Sequence, residues 1–129
     1  MVNYFIHIPR TGGTSLASSF PTGCAVYLGH DLRSVHYTHP SAVCTDADFT
    51  FTIVRDPFER LVSSFRFLAK GGFSDADRAD AERLGIADGG FQDFIVHRLA
   101  DAASWQIHFR PQSFFLHGVP NPRIYDFAD

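Results

Sequence analysis

Disulfide chemistry has little to work with in this chain. Only two cysteines, Cys24 and Cys44, occur in 129 residues. That is too few for a disulfide framework, and two buried thiols are the expectation. An excess of positive charge is missing as well. Acidic residues number 14 against 11 basic ones, for a net charge of -3. This argues against a nucleic-acid partner and leaves any anion site to be local. No apolar run approaches the roughly 18 residues that span a bilayer, and no basic stretch leads into a long apolar one at the N-terminus. The chain is therefore expected to lack a membrane span and a signal peptide, and to be cytoplasmic. No metal is expected: His30, His36 and His39, with Asp31, follow no helix or finger spacing of ligands.

What is present suits one globular domain over residues 1–129. Apolar residues make up 45% and charged residues 19%, a balance that supports a folded core rather than disorder. The 14 phenylalanines are the expected bulk of that core. Val2 to Ile8 reads as a buried strand stopped by Pro9, and Thr14 to Phe20 as a short helix. Cys24 to Leu28 is a second strand candidate, and Phe49 to Val54, "FTFTIV", is the clearest strand. Asp56-Pro57 opens a helix that carries Leu61, Val62, Phe65 and Leu68 at helical spacing and stops at Gly71-Gly72. Residues 74–84 read as a charged helix, Phe91 to Leu99 as an amphipathic one, and Ile124 to Phe127 as a last strand. Asp31 to Asp48 resists assignment. Strand–helix alternation of this kind predicts an α/β sandwich with a parallel sheet, whose ligands bind beyond the carboxyl ends of the strands.

Both of the best strands lead into anion-binding chemistry. After the first come Arg10, Thr11, Gly12, Gly13, Thr14 and Ser15. Glycines let backbone N–H groups approach a ligand, and a helix N-terminus adds free donors and partial positive charge. The hydroxyls add donors and Arg10 adds a full charge. No lysine follows the glycines, so the loop is not a Walker A sequence. After the third strand, Arg55 stands where it can reach an anion at the sheet edge. Ser63 lies about two turns into the next helix and reaches the same anion only if that helix runs past it. Glu59 and Arg60 are expected to face solvent or to pair.

Together "HIPRTGGTS" and "VRDPFERLVS" resemble the motifs of sulfotransferases that use 3′-phosphoadenosine 5′-phosphosulfate (PAPS), in particular the carbohydrate branch, sulfotransferase family 2. "HFRPQSFFL" (108–116) and "IYDFAD" resemble later segments of that family. The resemblance implies a P-loop-like three-layer α/β sandwich with a central parallel sheet flanked by helices. It implies that the first loop holds the 5′-phosphosulfate and that Arg55 and Ser63 hold the 3′-phosphate. The implied reaction moves a sulfuryl group from PAPS to an acceptor hydroxyl, with a carbohydrate as the implied acceptor, releases adenosine 3′,5′-bisphosphate and uses no metal. The family usually has lysine where this chain has Arg10, and it continues past the "YDFAD"-like strand, so the domain is expected to be short at its C-terminus.

In related sequences a histidine often follows the second strand. By that resemblance His30 is the expected base, with His36 and His39 as alternatives, and Arg10 the cation at the leaving oxygen. His7 is expected to be a hydrogen-bonded core residue. Two other readings stay open at this point: a non-catalytic nucleotide-binding member of the same fold, and a P-loop phosphotransferase. The acceptor and the oligomeric state are not legible in the sequence.

Overall fold

The computed structural model describes residues 1–12, 23, 25–86 and 89–127. In chain order the described elements are β1 (Asn3–Ile6), β2 (Val26–Leu28), a 3₁₀ turn (Pro40–Ala42), β3 (Phe49–Val54), α1 (Pro57–Ala69), α2 (Asp75–Arg83), α3 (Phe91–His97), α4 (Leu99–Trp105), α5 (Gln112–Leu116) and β4 (Arg123–Asp126). The chain divides into two compact units, Met1–Asp56 with Pro111–Asp129, and Pro57–Arg110.

The first unit is built on a four-stranded sheet of order β2-β1-β3-β4. Every neighbouring pair is parallel, so the class is α/β with a central parallel sheet, as the sequence predicts. Registers are set by Ile6 opposite Leu28, Phe5 opposite Phe51, and Val54 opposite Asp126. Side chains alternate across the sheet. Ile6 and Ile8 fall on one face, in a core with Cys44, Phe115 and Val119 that the 112–116 helix helps to cover. Phe5, Phe51 and Tyr27 fall on the other, with the Phe5 and Phe51 rings stacked at 5.2 Å. Threonine serves the interior of β3: Thr52 is fully buried, and its hydroxyl donates to the Ile6 carbonyl at 2.8 Å.

The second unit is helical, with a core of Leu68, Ala81, Leu84, Ile86, Phe94, Ala102 and Phe109. Helix α1 ends on Gly71 (φ 95°) and Gly72 (φ 62°), and the Gly72 N–H closes onto the Phe67 carbonyl at 3.0 Å. Ser74 caps α2 by accepting from the Asp77 N–H, and Asp77 in turn accepts from the Phe73 N–H.

Several elements differ from the sequence reading. The stretch expected as one helix from Phe91 to Leu99 breaks at Arg98, whose φ of -126° leaves the helical region, and α4 restarts at Leu99. Arg60 is buried rather than solvent-facing, and its Nη1 donates to the Arg110 carbonyl at 2.7 Å. Burial lowers its pKa to about 10. The helix expected over Thr14 to Phe20, and Cys24, lie outside the described residues. Cys44 is a free, buried thiol. No described helix is long and apolar enough to cross a membrane.

Candidate active site

Because the four strands run parallel, their carboxyl ends share one edge of the sheet, and the residues that follow each strand gather there. Arg10 comes after β1, His30 after β2, Arg55 after β3 and Phe127 after β4.

The loop after β1 is shaped by its own hydrogen bond. The Thr11 side chain is fully buried and its hydroxyl donates to the Ile8 carbonyl at 2.7 Å. Thr11 therefore fixes the exit of the strand, and what it can offer a ligand is its backbone. Arg10 sits in the left-handed region with φ 66°, and Gly12 follows with φ 82°. Left-handed backbone at a non-glycine residue costs about 1–3 kcal/mol and collects at ligand sites. Gly12 is also a close approach: a Cβ there would lie 2.4 Å from the Phe127 ring. Gly13, Thr14 and Ser15 lie outside the described residues.

The loop after β3 is held by a side chain that sequence reasoning did not single out. Gln112 Oε1 accepts from the Arg55 N–H at 2.9 Å, and Gln112 Nε2 donates to the Arg55 carbonyl at 2.7 Å. The Arg55 guanidinium then does two things. Its Nη1 donates to the Arg10 carbonyl at 3.3 Å, and its centre lies 4.8 Å from the centroid of the Phe127 ring. Burial, and then the positive charge of Arg55, lower the Arg10 pKa from its ordinary value. The two arginines expected to hold the two anionic ends of one ligand thus converge within one unit. Like charges brought together in a half-buried place are relieved when an anion joins them.

The loop after β2 brings His30 against His7. The ring centroids are 4.4 Å apart with planes at 64°. His7, on β1's continuation, is buried and hydrogen-bonded to the Tyr27 hydroxyl, as its reading as a bonded core residue predicts. Burial, and then His30, lower the His7 pKa to about 3. Burial raises the pKa of the Tyr27 phenol. Next to His30, burial pulls the Asp31 carboxyl upward, but hydrogen bonds and charge from Arg33, at 3.0 Å, outweigh it and the net shift is downward.

The alternative histidines are placed differently. His39 accepts from the Ser41 N–H at Nδ1, and its Nε2 lies 2.7 Å from the Phe114 carbonyl. Both ring nitrogens are engaged in joining the 3₁₀ turn to α5. His36 is exposed, and its backbone N–H donates to the Ser34 hydroxyl. Ser63 lies half-buried on α1 in the second unit; beside it, Ser64 is buried and donates to the His108 carbonyl at 2.8 Å. His108 is buried in that unit against Phe67.

The carboxyl edge of the parallel sheet thus gathers two arginines, a glycine turn and a histidine. The model of the sulfotransferase family matches residues 27–128, and the chain belongs to that family. The matched span includes "VRDPFERLVS" and "HFRPQSFFL", whereas the Arg10 loop precedes it. Neither the curated proteins nor the solved structures give a match to this chain.

Proposed function

We propose that the protein is a PAPS-dependent sulfotransferase that transfers a sulfuryl group to the hydroxyl of an acceptor, with a carbohydrate as the acceptor class. The observation that carries the reading is the convergence of Arg10 and Arg55 beside the Gly12 turn. A donor with a 5′-phosphosulfate and a 3′-phosphate has two anionic ends for two cationic loops. In this reading the loop from Arg10 through Ser15 (Arg10, Thr11, Gly12, Gly13, Thr14, Ser15) binds the phosphosulfate end and Arg55 binds the 3′-phosphate. Ser63 is assigned to the same phosphate on its sequence motif alone.

The chemistry assigned to the residues is simple. The acceptor oxygen bonds to sulfur as the bond from sulfur to the bridging oxygen breaks, and adenosine 3′,5′-bisphosphate leaves. Arg10 stabilises the charge that grows on the bridging oxygen. His30 takes the acceptor's proton, a contribution of about 10²–10⁴-fold in rate. The transferred group carries little charge, so no metal is assigned a role.

A second reading, a nucleotide-binding member without turnover, is favoured by one feature: Arg10 stands where lysine is usual, and a planar, forked guanidinium does not replace an ammonium at a tight site. Calorimetric titration with adenosine 3′,5′-bisphosphate, beside adenosine 5′-monophosphate and ATP with magnesium, tests both. Preference for the bisphosphate without magnesium supports the donor assignment. Transfer from labelled PAPS to a panel of hydroxyl acceptors then separates the enzyme from the binder. Equal binding of all three nucleotides, or a magnesium requirement, sinks the donor assignment.

A further inference from the structure

We infer that His7 and Tyr27 form a positioning pair for His30, Tyr27 fixing the imidazole of His7 by a hydrogen bond and His7 fixing the ring of His30 by contact. This rests on the reading of His30 as the base. The argument starts from the cost of His7. A buried imidazole on a strand among Phe5 and Phe51 gives up solvation that an aliphatic residue would not have needed. It recovers one hydrogen bond, from a residue directly across the sheet. Phe5 and Tyr27 are register partners of β1 and β2, and the His7 N–H continues the ladder by donating to the Leu28 carbonyl at 3.1 Å. That ladder puts His7 and Tyr27 on one face and carries the chain to His30 two residues after β2 ends.

Each link constrains the next. An imidazole bonded at Nδ1 has a set ring orientation. The His7 ring lies 5.4 Å from the Tyr27 ring on one side and 4.4 Å from the His30 ring on the other. His30 therefore meets a rigid, polar neighbour rather than an apolar wall. Burial also keeps His7 uncharged at neutral pH, so a proton arriving on His30 meets no second cation there. Asp31, itself held by Arg33, is a charge that bears on His30. Tyr27 is half exposed at 48%, so its hydroxyl can be removed without opening the core.

Tyr27→Phe on the full chain is the test, because it deletes one oxygen, the one that bonds His7. Nitrogen-15 signals of the histidine rings are recorded at neutral pH, with adenosine 3′,5′-bisphosphate affinity and, for the acceptor found by screening, kcat and KM. The expected result is a displaced His30 ring signal and a kcat lower by about tenfold or more. Affinity for the bisphosphate and KM for the donor should stay within about twofold, since neither arginine is touched. His7→Gln should have the same effect, and the double variant should be no worse than either single one, as for residues acting as a unit. If the His30 ring signal and kcat of Tyr27→Phe match the wild type, the inference is overturned. The base assignment fails separately: a His30→Ala chain that transfers the sulfuryl group at the wild-type rate sinks it, while the ring signals decide the pair by themselves.

Discussion

The side chain of Gln112 brackets the backbone of Arg55, accepting from its N–H at 2.9 Å and donating to its carbonyl at 2.7 Å. The two residues are 57 positions apart, yet the bracket replaces the ladder contacts that Arg55 loses on leaving β3. Gln112→Ala removes both bonds and should cost about 1–3 kcal/mol of stability. It should also weaken binding of adenosine 3′,5′-bisphosphate by roughly tenfold through a looser Arg55. Denaturant unfolding and calorimetry read the two effects. Unchanged affinity would show that the bracket supports the fold and not the anion site.

Gly12 combines a left-handed φ of 82° with a ring where a Cβ would go. Gly12→Ala should therefore destabilise the first unit by about 2–3 kcal/mol, part from the backbone and part from the clash. Adding Phe127→Ala should return the steric part and leave the backbone part of about 1 kcal/mol. A double variant no more stable than the single one would contradict the account.

Arg10 is an arginine in a backbone conformation that suits glycine, φ 66°. Arg10→Gly should raise stability by about 0.5–1 kcal/mol, the relief of left-handed strain being offset in part by the freer unfolded chain. The same substitution should weaken binding of the bisphosphate and of the 5′-monophosphate alike, leaving the preference between them, if Arg10 holds the 5′ end of the donor. Thermal unfolding with and without nucleotide tests both halves at once.

His7 gives a pH dependence with a definite sign. Its pKa in the fold, about 3, lies below the ordinary histidine value of 6.5. Folding favours the neutral form, so the stability from His7's neutrality is complete above pH 6.5 and is lost as pH falls toward 3. The loss should amount to a few kcal/mol. Urea unfolding at pH 7.5 and at pH 4.5 should show wild type losing more stability than His7→Gln. Equal losses would mean that carboxylates alone set the acid limb.

The elements that could be read from sequence are those whose signals are local. "FTFTIV" gives β3 with its bounds unchanged, and Pro57 and Gly71-Gly72 delimit α1, because turn chemistry acts within a few residues. The sequence pattern overextends helix α3, since nothing in "FIVHRLAD" announces the backbone break at Arg98. In the site, Arg10 and Arg55 are legible because a charge at a strand end is a local pattern. Gln112 and Phe127 are not, because Gln112 meets Arg55 across 57 positions and only the pairing of β3 with β4 carries Phe127 to Gly12. The place of His7 inside the first strand segment makes it legible as a bonded core residue, but its meeting with His30 depends on the register of two strands.

The first unit is discontinuous in sequence, taking its fourth strand from beyond residue 110. On the ribosome, β1, β2 and β3 emerge early, while Gln112 and β4 must wait for the whole helical unit. Until then the flank of β3 that β4 will occupy offers open backbone hydrogen bonds, and Arg55 has neither its bracket nor its aromatic cover. Long-range strand pairing of this kind is slow to form and exposes the nascent chain to unwanted partners in the meantime. The carboxyl edge of the sheet around Arg55 is therefore among the last parts of the protein to mature.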